Sequence, residues 1–136
     1  MQRNEFLKIL GTGTLLACAG CLDSCSSKGT DPLPVNVDFI LDLTLPENAA
    51  LTNVGGSVSK NGVIVVKFSA SEFVALSQAC THQGTAINYQ SSQQNFLCPN
   101  HLSKFDKNGG VINGPASSAL HKYNTELTST NLRVFS

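Results

Sequence analysis

The chain has 136 residues, with nine Lys and Arg balanced by nine Asp and Glu. That length suits one domain, and the neutral balance excludes a nucleic-acid binder built on a basic surface. Charged residues reach only 13%, about half the usual ~25%, so solubility rests on Ser, Thr and Asn, while the 41% apolar content suffices for one compact core and weighs against disorder.

The five cysteines are an odd number, which forbids a complete disulfide framework, and they fall into two groups. Cys18, Cys21 and Cys25 crowd the N-terminus, whereas Cys80 and Cys98 stand alone in the body of the chain. Arg3 and Lys8 give the first residues a net positive character, and Ile9 to Gly20 follow as a short apolar stretch. That stretch is too short for the ~20 residues of a spanning helix. A positive start, a short apolar stretch and small residues at its end read as an export signal. Ala19-Gly20-Cys21 resembles the end of a bacterial lipoprotein signal, in which the cysteine is acylated, and Leu15-Leu16-Ala17-Cys18 is a second candidate. Arg3-Asn4-Glu5-Phe6-Leu7-Lys8 resembles a twin-arginine export signal, with Asn4 in place of the second Arg. Residues 1–20 are therefore expected to be the signal segment. Residues 21–34, polar and carrying Pro32 and Pro34, are expected to be a semi-extended tether.

From Val35 the chain reads as strands. Val35, Val37, Phe39, Leu41 and Leu43 alternate with polar residues, the period of a half-buried strand, and Ile40 alone breaks the alternation. Asn61-Gly62 before Val63-Ile64-Val65-Val66 predicts a tight hairpin. Further short strands are expected at Glu72–Leu76, Thr85–Tyr89, Asn95–Leu97, Lys104–Phe105, Val111–Ile112, His121–Leu127 and Leu132–Phe135. No stretch after residue 35 keeps a helical period for three turns. The expected class is all-β, an antiparallel sandwich or partly open barrel over residues 35–136.

Two segments carry the chemistry: Cys80-Thr81-His82-Gln83-Gly84 and Cys98-Pro99-Asn100-His101-Leu102-Ser103. Two thiolates and two imidazoles suit zinc or an iron–sulfur cluster. Each segment supplies one Cys and one His, and a mixed [2Fe–2S] cluster takes two thiolates on one iron and two imidazoles on the other. The segments resemble the two cluster-binding boxes of Rieske iron–sulfur proteins, Cys-x-His-x-Gly and Cys-Pro-x-His. Downstream, Phe105-Asp106 and Gly110 to Ala116, with Gly114-Pro115 and then Leu120, resemble the family's third, proline-containing loop.

The resemblance spans roughly residues 35 to 136 and implies a small cluster-binding subdomain and one [2Fe–2S] cluster per chain. Cys80 and Cys98 would hold the buried ferric iron, and His82 and His101 the exposed iron that accepts the electron. Neutral imidazoles leave such a centre less negative than four thiolates would. The general range is roughly −150 to +300 mV, against ~−400 mV for plant-type clusters. The free imidazole nitrogens link reduction to protonation, so such a site can take an electron and a proton from a quinol. Ser103 matches a serine that hydrogen-bonds a cluster sulfur in quinol-oxidising members, while Phe105 stands where those members have Tyr. Thr85 and Asn100 stand where those members have a disulfide between the boxes. Both departures imply a midpoint below that of the quinol-oxidising group.

Three roles follow from the resemblance. A Rieske-type oxygenase needs a second domain with a mononuclear iron site, and beyond the boxes only His121 remains as a histidine. A ferredoxin serving a separate oxygenase suits the domain size but conflicts with the export signal. An exported electron-transfer protein, anchored by lipid and serving a quinol-oxidising complex or a periplasmic oxidase, agrees with both. A structural zinc-binding lipoprotein domain is the reading from a different class.

Overall fold

A computed structural model describes residues 36–136. The signal segment, the tether, and Cys18, Cys21 and Cys25 lie outside them. Ten strands form two antiparallel sheets: β1 (Asp38–Asp42), β2 (Ser57–Lys60), β3 (Val63–Lys67), β4 (Phe73–Ser77), β5 (Asn88–Gln90), β6 (Asn95–Leu97), β7 (Lys104–Phe105), β8 (Val111–Asn113), β9 (Lys122–Thr128) and β10 (Asn131–Phe135). The larger sheet runs β1-β10-β9-β4-β3-β2 and the smaller one β5-β6-β7-β8. The smaller sheet is thus a single insertion between β4 and β9, and it carries both cysteine boxes. The all-β architecture with a small subdomain agrees with the sequence expectation.

The β2–β3 hairpin forms where Asn-Gly predicts it. Asn61 and Gly62 have φ of 52° and 76°, the pair of positive values that a tight type I′ turn demands, and Lys60 pairs with Val63. The continuous apolar run of β3 has a separate cause, because both of its faces are buried. Ile64 and Val66 join Val74 and Leu76 in a core shared with Ile87, Phe96, Phe105, Ala116 and Leu120 of the inserted subdomain. Val63 and Val65 face the other way, into a core with Val37, Leu41, Leu51, Ala75, Tyr123, Leu132 and Val134. Strands at both ends of the six-stranded order share that second core, so the sheet curls around it. Burying each large apolar side chain contributes about 1.5–3 kcal/mol, and Phe96 and Phe105 are fully buried between the sheets. Ile40, the residue that breaks the β1 alternation, points to solvent.

The structure adds an element that periodicity does not reveal, a 3-10 helix over Pro46–Thr52. Proline near its start pre-sets φ, Leu51 plugs the second core, and buried Asn48 donates through Nδ2 to the Asp42 carbonyl at 2.9 Å. One expected strand shifts clearly: the expected Thr85–Tyr89 strand becomes Asn88–Gln90, with only an isolated bridge of Ala79 to Ala86 before it. Ser77 closes the joint to the insertion by donating its N–H to the His121 carbonyl at 2.8 Å.

Candidate metal centre

The two boxes are loops of the same construction. In the first, Cys80 N–H donates to Thr85 O at 2.9 Å and Gly84 N–H to Cys80 O at 2.7 Å. In the second, Cys98 N–H donates to Ser103 O at 2.8 Å and Leu102 N–H to Cys98 O at 3.0 Å. The fourth residue after each cysteine is left-handed, Gly84 at φ 74° and Leu102 at φ 63°. Glycine adopts that region freely, whereas a leucine there costs roughly 1–2 kcal/mol. Leu102 nonetheless holds it, 60% exposed beside His101.

This construction sorts the four candidate ligands into two pairs. Cys80 and Cys98 are only 1% and 2% exposed and belong to the core between the sheets. They are neighbours, yet both are free thiols. Burial pushes the Cys80 thiol up, the backbone N–H groups of His82 and Gln83 pull it down, and the adjacent Cys98 raises it. The imidazoles lie outward, with His101 exposed and His82 half-buried. Their ring centroids are 4.9 Å apart and the planes nearly perpendicular at 85°. Among the described residues no three His, Cys, Asp or Glu side chains gather around one ion-sized point. Two thiols and two imidazoles are the donor set of a mixed-ligand two-iron cluster, two thiolates on one iron and two imidazoles on the other, and the division into a buried pair and an outward pair fits it. Backbone donors aimed at Cys80 also suit a thiolate carrying cluster charge.

The third loop packs against the second at Ser103. Buried Ser103 accepts the Ala116 N–H through Oγ at 3.2 Å, leaving its own proton free to donate. Gly114 has φ 112°, and a Cβ there would lie 2.4 Å from Ser103 Cα, so only glycine permits this approach. Pro115 is exposed on the outer side of the loop. Phe105 is fully buried in the core that contains both cysteines. Thr85 and Asn100 form no covalent clamp, and Asn100 instead donates through Nδ2 to Gln83 Oε1 at 3.0 Å. Thr81 ties the first loop to the third, its Oγ1 donating to Ser118 O at 2.6 Å. His121 sits outside the centre, its ring 4.6 Å from that of Tyr123. Sequence reasoning passed over Gln83, Thr81 and Leu102. Superposing the two boxes on their cysteines is the signal that would have found the first and the last.

The inserted four-stranded subdomain, with two twin loops presenting buried thiols and outward imidazoles, defines a small iron–sulfur electron carrier. Comparison with known proteins agrees. The family model of the Rieske [2Fe-2S] domain matches residues 41–124. The cytochrome b6-f complex iron-sulfur subunit of Synechococcus elongatus is 32% identical over 152 aligned positions, spanning 99% of this chain and 84% of that protein. The plasma membrane Rieske protein PetC3 of Synechocystis superposes with a TM-score of 0.55 at 28% identity, over 76% of this chain and 100% of that one. The ferredoxin of carbazole 1,9a-dioxygenase from Nocardioides aromaticivorans shares the fold, with a TM-score of 0.53 at 21% identity over 63% of this chain and 91% of that one. The chain belongs to the Rieske [2Fe–2S] family, and it is an electron-transfer protein with one such cluster. When bound, the cluster supplies a one-electron site whose potential the surrounding donors tune.

Proposed function

We propose that Cys80 and Cys98 hold the inner iron and His82 and His101 the outer one, and that the protein passes single electrons in a redox chain of the cell envelope. The observation that carries the assignment is the sorting of the four side chains, two buried neighbouring thiols and two outward imidazoles 4.9 Å apart, with one of each from either loop. The buried thiols keep water from the inner iron, and the outward rings bring the electron and a linked proton to the surface. His82→Ala and His101→Ala are each expected to abolish the Rieske-type EPR signal of the reduced protein. A retained signal in either would remove that histidine from the ligand set.

The proposed partner is a membrane redox complex, with quinol as the electron source. The likeness to cytochrome b6-f subunits and to a plasma membrane Rieske protein supports this reading. The sequence of residues 1–20, read as an export signal, accords with the same location, and the proposed lipid anchor is Cys21, with Cys18 as the second candidate. The described residues hold no helix long and apolar enough to cross a membrane. Cys21→Ala is expected to move the protein from the membrane fraction to the soluble fraction, with Cys18→Ala leaving it in place; the reverse pattern would put the anchor on Cys18.

Ser103 and Phe105 are proposed to set the midpoint. The Ser103 hydroxyl is buried with its proton free, whereas Phe105 has no proton to give. A donor to a cluster sulfur stabilises the added electron. For a one-electron couple 59 mV is a factor of ten, close to a charge-assisted hydrogen bond of about 1.5 kcal/mol. Ser103→Ala should therefore lower the midpoint by roughly 60 mV and Phe105→Tyr should raise it, both read by protein-film voltammetry. Unchanged midpoints would take both residues out of the tuning.

A further inference from the structure

The twin construction of the two loops has a second half. Counted from the cysteines, the second residue is His82 in one loop and Asn100 in the other, and the third is Gln83 in one and His101 in the other. Each loop thus carries one imidazole and one amide, in opposite order. Across the gap, imidazole meets imidazole at 4.9 Å and amide meets amide, Asn100 Nδ2 donating to Gln83 Oε1 at 3.0 Å. Both amides are exposed.

We propose that Gln83 and Asn100 form a non-covalent clamp that sets the spacing of His82 and His101, making them positioning residues for the cluster. The proposal rests on the ligand assignment above. Each clamp residue is the chain neighbour of a histidine, so fixing one amide against the other fixes the two imidazole-bearing backbones. Two further bonds complete the enclosure. Thr81 Oγ1 donates to Ser118 O at 2.6 Å, joining the first loop to the third. Ala116 N–H donates to Ser103 Oγ at 3.2 Å, joining the third to the second. Every loop is thereby tied to both others without a sulfur–sulfur bond. The only cysteines among the described residues are Cys80 and Cys98, both free. A clamp made of amides is indifferent to the thiol–disulfide poise of its surroundings, so the imidazole spacing does not change when that poise does.

The test is a double-mutant cycle on the full-length holoprotein, following loss of visible absorbance in excess chelator and the EPR spectrum of the reduced state. Gln83→Ala and Asn100→Ala are each expected to speed cluster loss about fivefold, the factor that one hydrogen bond of ordinary net strength carries. The double variant should be no faster than either single one, because both remove the same bond. The EPR g-values should shift alike in all three. The exchanged pair Gln83→Asn/Asn100→Gln, which keeps the amide contact at the same total reach, should restore both readouts. Hydrogen exchange at the Gly84 and Leu102 amides, measured after the cluster is stripped, should quicken in the alanine variants and not in the exchanged pair. Multiplying effects in the double variant, unshifted g-values, or an exchanged pair that behaves like the double alanine variant would overturn the clamp. A parent protein that purifies without iron and sulfide would instead overturn the ligand assignment.

Discussion

Cys98→Ser is expected to yield a folded protein without iron–sulfur absorbance, losing essentially all iron and acid-labile sulfide. Cys98 is 2% exposed and packs in the core between the sheets, so serine, nearly the same size, leaves the packing close to intact. The loss then belongs to ligation, since a serine hydroxyl is a poor substitute for a thiolate toward iron. The buried hydroxyl costs about 1–3 kcal/mol if it finds no partner, which thermal unfolding of the iron-free protein would read. Cys80→Ser should behave in the same way, because Cys80 is equally buried and adjoins Cys98. A Cys98→Ser protein that retains two irons and two sulfides would sink the ligand assignment, whatever its stability.

Gly114→Ala is the second large effect. At φ 112° the added Cβ would lie 2.4 Å from Ser103 Cα and 2.8 Å from its Oγ, so the third loop must lift from the second. Two costs combine, an alanine forced to positive φ and the lost Ala116 N–H to Ser103 Oγ bond. Together they amount to roughly 2–3 kcal/mol, a fall in Tm of about 10 °C or more for a domain of this size. Cluster loss in chelator should accelerate with it, since the cover over the centre opens. Pro115→Ala, which leaves Gly114 in place, should cost far less. Equal stability of Gly114→Ala and the parent would show that the loop's approach to Ser103 contributes nothing to the enclosure.

Much of this was readable from residue types alone, for identifiable reasons. The β2–β3 turn was legible because Asn61-Gly62 has few other uses between β-branched runs. The cluster site was legible because Cys80, His82, Cys98 and His101 repeat one pattern in two segments, and pattern survives where geometry is unknown. The 3-10 helix over Pro46–Thr52 was not, because seven residues are too few to display a period. The two-sided burial of β3 fits a continuous apolar run, but only the sheet order shows which side chains enter which core. The shift of β5 to Asn88–Gln90 arises because the residues before it are held by the first cysteine loop, through Cys80 N–H to Thr85 O. Gln83 stayed hidden, and Asn100 was noticed only for the cysteine it replaces, because exposed amides carry no signature of their own. Their meaning comes from the contact they make across two loops that are distant in sequence.

The scarcity of charge in the loop segments has a consequence for association. No Asp, Glu, Lys or Arg occurs from Phe73 to Ser103 or from Asn108 to His121, the segments that supply both cysteine boxes and the Gly114-Pro115 part of the third loop, and Lys104, Asp106 and Lys107 are the charges between them. Electrostatic steering depends on charge near the contact and weakens with salt. Electron transfer to the proposed membrane complex is therefore expected to change less than about twofold between low and physiological ionic strength, in a stopped-flow series. A rate that falls tenfold over that range would place the docking surface on another part of the molecule.

The composition of the purified protein, measured as iron, acid-labile sulfide and zinc per chain, with an EPR spectrum after reduction, tests the cluster assignment. Two irons, two sulfides and no stoichiometric zinc are expected, together with the rhombic signal of a mixed-ligand [2Fe–2S] centre. Stoichiometric zinc without sulfide, and no EPR signal on reduction, would contradict the assignment.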